Sequence, residues 1–147
     1  MDGDSSLSPQ RLRAECVCLN LARVSRALTR RYDAAFRSIG LTSGQFAILG
    51  GLNQPEPVRI GALADALGLE RTTLTRNLAP LQAAGLIRTD IDDDDKRVRR
   101  LVLSDAGRDT LGQAVSLWQS AQDDSRRRLD GQDWASLRGV LDRLQPD

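Results

Sequence analysis

Apolar residues return every three or four positions from Pro9 to Ile39, at Val17, Leu21, Val24, Leu28, Tyr32, Ala35 and Ile39. That is the spacing of one helix face, and Pro9 suits a first helical turn. A helix of about 30 residues is ~45 Å long at ~1.5 Å per residue. One small domain does not cover such a length, so the stripe is expected to pack on a partner chain. Residues 1–8 carry no such pattern and read as a disordered tail.

Gly40 ends the stripe, and Thr42-Ser43-Gly44-Gln45 opens the next element. Thr at the cap and Gln three residues on form a capping box, with Leu41 and Phe46 placed for a hydrophobic staple. Phe46, Leu49 and Leu52 predict a short helix that stops at the Asn53-Gln54-Pro55-Glu56-Pro57 loop. Two closely spaced helices follow. Leu63, Ala64 and Leu67 mark the first, Gly68-Leu69 breaks it, and Leu74, Leu78 and Leu81 mark the second, with Gly85 after it. Pro80 inside the second is expected to bend its axis. Leu86 to Ile91 and Arg97 to Leu103 read as strands of a hairpin, with Asp92-Asp93-Asp94-Asp95-Lys96 between them. Ser104 is expected to cap a helix from Asp105 to about Leu129, carrying Leu111, Val115 and Trp118 on one side. Asp130 is expected to cap a last helix with Trp134, Leu137, Leu141 and Leu144 on one face.

Composition narrows the function. The 147 residues amount to one domain, with 21 basic against 20 acidic residues and a net charge of +1. Any binding surface for a charged partner must therefore be local. No run approaches the ~18 apolar residues of a membrane span, and the start MDGDSSLSPQ has acids where a signal peptide needs bases. A soluble, cytoplasmic protein is expected. With no histidine and only Cys16 and Cys18, the usual zinc sites and histidine-dependent catalytic pairs have no ligands or base. No glycine loop for phosphate and no evident pair of acids is present, so neither an enzyme nor a cofactor is expected.

The short helix pair has helix-turn-helix spacing. Ala64 allows a close crossing, Gly68 the turn, and Leu74 anchors the second helix. Near the N-terminus of that second helix stand Arg71, Thr72, Thr73, Thr75 and Arg76. Thr hydroxyls reach phosphates or bases there, and Arg76 can fork onto a guanine edge. The same residues would also make an ordinary solvated face. The hairpin that follows carries Lys96, Arg97, Arg99 and Arg100. A helix pair plus a basic hairpin is the winged-helix plan, in which an arginine of the wing enters a narrow minor groove.

The run VRIGALADALGLERTTLTRNLAPLQAAGLIRTDIDDDDKRVRRLVLSDAG resembles the DNA-binding core of the MarR family of bacterial transcription regulators. The long first helix, the LTSGQF segment and the terminal helices extend the likeness over nearly the whole chain. The resemblance implies a mainly α fold with a small β-hairpin wing. It divides the chain into a tail (1–8), a helical dimerisation region (9–40 and 105–145) and a winged helix-turn-helix lobe (41–104). It further implies a homodimer with interlocked terminal helices on a palindromic double-stranded DNA operator, acting as a repressor released by a signal. By position, Thr72, Thr73, Thr75 and Arg76 match the recognition-helix contacts. Asp95 and Arg97 match the wing's Asp-x-Arg, whose carboxylate steadies the minor-groove arginine. Asp92, Asp93 and Asp94 depart from the pattern, and four carboxylates at a wing tip are expected to repel phosphate. The alternative is a protein-interaction module whose winged helix avoids DNA; salt-dependent duplex binding separates the two.

On a continuous helix Cys16 and Cys18 stand ~200° apart and read by default as small core residues. Cys18 also lies 14 residues before Tyr32. That spacing resembles the organic-hydroperoxide-sensing branch of the family, in which a first-helix cysteine is oxidised beside a tyrosine hydroxyl. Ala22 replaces that branch's second tyrosine. The resemblance implies either such an oxidant or a small aromatic or phenolic effector, lodged between lobe and dimer helices.

Overall fold

The computed structural model describes residues 7–145. Ser8 caps the first helix, its hydroxyl accepting from the Arg11 amide; of the expected tail, residues 1–6 lie outside the described residues. In place of one long first helix there are two, α1 (Pro9–Glu15) and α2 (Val17–Phe36), followed by a 3-10 turn at Arg37–Ile39. The break is at Cys16, whose φ of -76° and ψ of 106° are extended. Side chains replace the lost helical bonds. Cys16 Sγ accepts from the Leu19 amide at 3.4 Å, and Asn20 Nδ2 donates to the Arg13 and Cys16 carbonyls, each at 2.9 Å. Short polar side chains compete with the helix ladder in this way.

The capping box at Thr42 and Gln45 forms as expected and opens α3 (Ser43–Gly51). A strand not foreseen, β1 (Val58–Arg59), precedes α4 (Ile60–Leu67). Gly68 then turns the chain at φ +62°, where glycine is tolerated best. Next come α5 (Arg71–Ala83), with Pro80 inside it, and the hairpin β2 (Ile87–Ile91) and β3 (Arg99–Leu103). The sheet order is β1-β3-β2, all antiparallel, with Leu101 opposite both Val58 and Thr89. Helix α6 (Asp105–Arg127) is capped by Ser104. The last helix, α7 (Trp134–Asp142), is capped by Asp133 rather than Asp130. Asp130 and Gly131 both have positive φ and form the turn, which leaves the capping geometry to the acid three residues on.

The core runs from α3 to β3 and is closed by Phe36 of α2 and by Leu111 and Ala114 of α6. Leu63, Leu74, Leu81, Leu101 and Leu103 are fully buried together with Phe36, Ile48, Leu49 and Leu52. An aromatic ladder joins lobe to helices: Phe36 stacks on Phe46 at 4.7 Å and Phe46 on Trp118 at 6.2 Å between ring centres. The apolar stripe of α2 divides in two. Its lower end packs through Tyr32 and Phe36, while Val17, Leu21 and Val24 stay exposed, as do Val140 and Leu144 near the C-terminus. No helix among the described residues is long and apolar enough to cross a membrane.

Candidate nucleic-acid interface

Helix α5 is pinned by Leu74, Leu78 and Leu81, all buried. Those three positions leave Arg71, Thr72, Thr75 and Arg76 exposed. Glu70 occupies the N-cap without a side-chain bond, so no capping side chain covers the amides of the first turn. Thr75 donates its hydroxyl to the Arg71 carbonyl at 2.8 Å and remains exposed, so its oxygen can still accept. Thr73 differs. It is half-buried, and Asn77, one turn on, donates to its carbonyl at 2.9 Å and abuts Gly44 of α3.

The wing comes up beside this helix. Arg71 and Thr75 share a cleft of about 580 Å³ with Arg97 and Arg99 of the wing. Sequence reasoning had singled out all four; it missed Arg59, which lines the same cleft from β1. Lys96 is exposed at the tip. Asp95 holds the backbone of Arg97, its Oδ1 accepting the Arg97 amide at 3.0 Å, and its carbonyl takes the Val98 amide at 2.8 Å.

The expected wall of four repelling carboxylates is corrected at its first member. Asp92 is 3% exposed and turned inward. Its Oδ1 accepts the amides of Asp94 and Asp95 at 2.9 and 3.2 Å, and its Oδ2 is bonded by Arg100 Nε. This carboxylate therefore closes the tip loop and docks it on β3. Asp93, Asp94 and Asp95 remain exposed. The hydrogen bond from Arg100, then the amides of Asp95 and Asp94, hold the Asp92 carboxyl below its ordinary 3.8. A depressed carboxyl stabilises the fold at pH above its unfolded value and ceases to as pH falls through the folded one. Thermal melts should therefore show an acid limb below about pH 3.8 that Asp92→Asn makes shallower, with no Asp92-dependent change across the neutral range.

Neither cysteine is buried in the single chain, contrary to the core reading: Cys16 is half-covered at the helix break and Cys18 is exposed. The Tyr32 hydroxyl donates to Gln122 Oε1 on α6 of its own chain. Among the described residues no group of three His, Cys, Asp or Glu side chains is placed to hold a metal ion.

Comparison with known proteins gives consistent likenesses. The MarR family model matches residues 41–98. The chain is 36% identical to the M. tuberculosis transcriptional regulator MosR, and the crystal structure of that protein in complex with DNA superposes at a TM-score of 0.79, covering 88% of this chain and 93% of that one. It is 27% identical over 128 residues to the HTH-type transcriptional regulator PecS of Dickeya dadantii, 85% of this chain and 77% of that protein. A MarR variant from E. coli complexed with operator DNA shares the fold at 20% identity, with a TM-score of 0.83 over 95% of this chain and 100% of that one.

Proposed function

This chain belongs to the MarR family of transcriptional regulators, and from that premise we propose that it is a repressor-type, sequence-specific DNA-binding protein acting on a palindromic operator as a homodimer. The observation that carries the reading is the shared cleft, in which the first turns of α5 and the wing present arginines to one side. In this reading Thr72, Thr75 and Arg76 meet the major groove, with Arg71 at its backbone edge and Thr73 at its flank. Lys96, Arg97 and Arg99 meet the backbone and the adjacent minor groove, and Asp95 sets the course of Arg97. Residues 41–104 form the DNA-binding lobe; residues 9–40 and 105–145 pair the protomers. The exposed Val17, Leu21, Val24, Val140 and Leu144 support that pairing, since a second chain would take them out of water.

A signal that releases the operator completes the proposal. A cavity of about 440 Å³ between α3 and α6, lined by Phe46, Trp118 and Arg108 among others, suits a small aromatic or phenolic effector. The exposed Cys18 supports an organic hydroperoxide instead: its thiolate would take the distal oxygen as the O–O bond breaks, leaving a sulfenic acid and an alcohol. The Tyr32 hydroxyl is held by Gln122 and would have to leave it to assist.

Selection of bound fragments from random duplex tests the function. The recovered sequences should be inverted repeats with half-site centres about 10 bp apart, or a whole multiple of one turn. The protein should sediment as a dimer at micromolar concentration, and affinity should fall steeply with salt. A folded monomer with no enriched sequence and flat salt dependence would overturn the proposal.

A further inference from the structure

Asp92 faces two guanidinium groups and is fully matched by one. Arg100 bonds it directly and is 31% exposed, whereas Arg59 Nη2 stands 3.8 Å from the same Oδ2, with its side chain 59% exposed. One negative charge cannot neutralise both. The closer, better covered arginine takes most of it; the Arg59 pair is longer and largely in solvent, so the surplus positive charge of the triad falls to Arg59 at the surface.

Position makes that charge useful. Arg59 is the last residue of β1 and lines the cleft between α5 and the wing, together with Arg71, Thr75, Arg97 and Arg99. Asp65 is the one carboxylate lining it. The Arg71 guanidinium lies over the start of α4, two residues beyond Arg59, where a Cβ on Gly61 would stand 3.4 Å from Arg71 Nη2. If α5 enters the major groove and the wing the neighbouring minor groove, the sugar-phosphate strand dividing those grooves crosses the space between them. That space is this cleft.

We propose that Arg59 is a DNA-contacting residue that, with Arg71, seats a backbone phosphate of the operator between α5 and the wing. The inference rests on the reading of the lobe as DNA-binding. Asp92 has a second part in it as a positioning residue: by closing the wing tip and drawing Arg100 inward, it leaves Arg59 as the guanidinium free to turn to the phosphate. A backbone contact carries no sequence information, so its signature is lost affinity with unchanged preference.

The test measures wild type, Arg59→Ala and Arg59→Lys on the selected operator and on random duplex across a salt series, with a thermal melt of each. Arg59→Ala should weaken binding to both duplexes by the same factor. It should also lower the slope of log affinity against log salt by about 2, at ~0.9 per phosphate contact in each of two protomers. Arg59→Lys should restore most of the slope, and the melts should stay close together because the side chain is largely in solvent. An Arg59→Ala slope equal to wild type overturns the contact, whether or not the melt shifts; a shifted melt would then reveal a purely structural pair with Asp92. A wild type without salt-dependent binding to any duplex overturns the DNA reading itself, and this inference with it.

Discussion

Gly107→Ala is expected to destabilise the protein by about 3 kcal/mol, the upper end of what overpacking usually costs. Gly107 sits in the first turn of α6, where an added Cβ would lie 2.1 Å from the Leu86 carbonyl oxygen and 2.7 Å from Leu103 Cδ1. The leucine end can move. The carbonyl cannot, because the same oxygen accepts the Ser104 amide at 3.0 Å, and the Ser104 hydroxyl holds the neighbouring Gly85 carbonyl at 2.7 Å. The close approach therefore joins helix start, strand start and cap in one contact. At ~3–4 °C per kcal/mol for a chain of this size, the melting midpoint should fall by about 10 °C. Gly112→Ala, one and a half turns further along the same helix, has nothing within 4 Å of the new Cβ. It should leave the midpoint unchanged or raise it by the ~0.5–1 kcal/mol that alanine gains over glycine in a helix. Equal midpoints for both variants would mean that Leu86 yields, and that the contact does not fix α6.

The second large effect falls on specificity. Arg76 is exposed on the outer face of α5, two residues after the buried Leu74 that anchors the helix. In the proposed complex it forks onto a guanine edge, a contact worth ~1–3 kcal/mol of discrimination. A homodimer loses it twice. Arg76→Ala should then cost ~2–6 kcal/mol on the operator, or roughly 30-fold to 20,000-fold in affinity at ~1.4 kcal/mol per tenfold. Binding to random duplex should fall far less, and the preference should relax at two symmetry-related base pairs. Equal losses on operator and random duplex would make Arg76 a backbone contact, and base readout would have to come from Thr72 and Thr75.

Local chemistry was the legible part of this chain. Thr42 and Gln45 cap each other within one turn, and the Ala64, Gly68 and Leu74 spacing describes a crossing, a turn and an anchor within eleven residues. Arg71, Thr75, Arg97 and Arg99 could be named because each belongs to a patterned helix or hairpin; their meeting in one cleft depends on tertiary packing. What escaped was of two kinds. Some elements are too short or too quiet to show a pattern. Strand β1 is two residues long, and the break at Cys16 uses neither glycine nor proline but the side chain of Asn20. Other features depend on distant partners. The inward turn of Asp92 needs Arg100, eight residues away on the facing strand. One local signal could have anticipated it: an aspartate opening a turn tends to accept the amide two residues on, as Asp92 does from Asp94.

The aromatic ladder also makes the protein its own optical probe. The chain has two tryptophans, and they occupy unlike surroundings. Trp118 stacks on Phe46 where the lobe meets α6, while Trp134 begins α7 and is 39% exposed. Emission from Trp118 answers to the tilt of the lobe against α6, and emission from Trp134 to the covering of the C-terminal helix. With either one replaced by phenylalanine, the remaining indole reports on a single joint. Any reorientation of the lobe and the proposed subunit pairing can then be followed separately by light, in unlabelled protein and in real time.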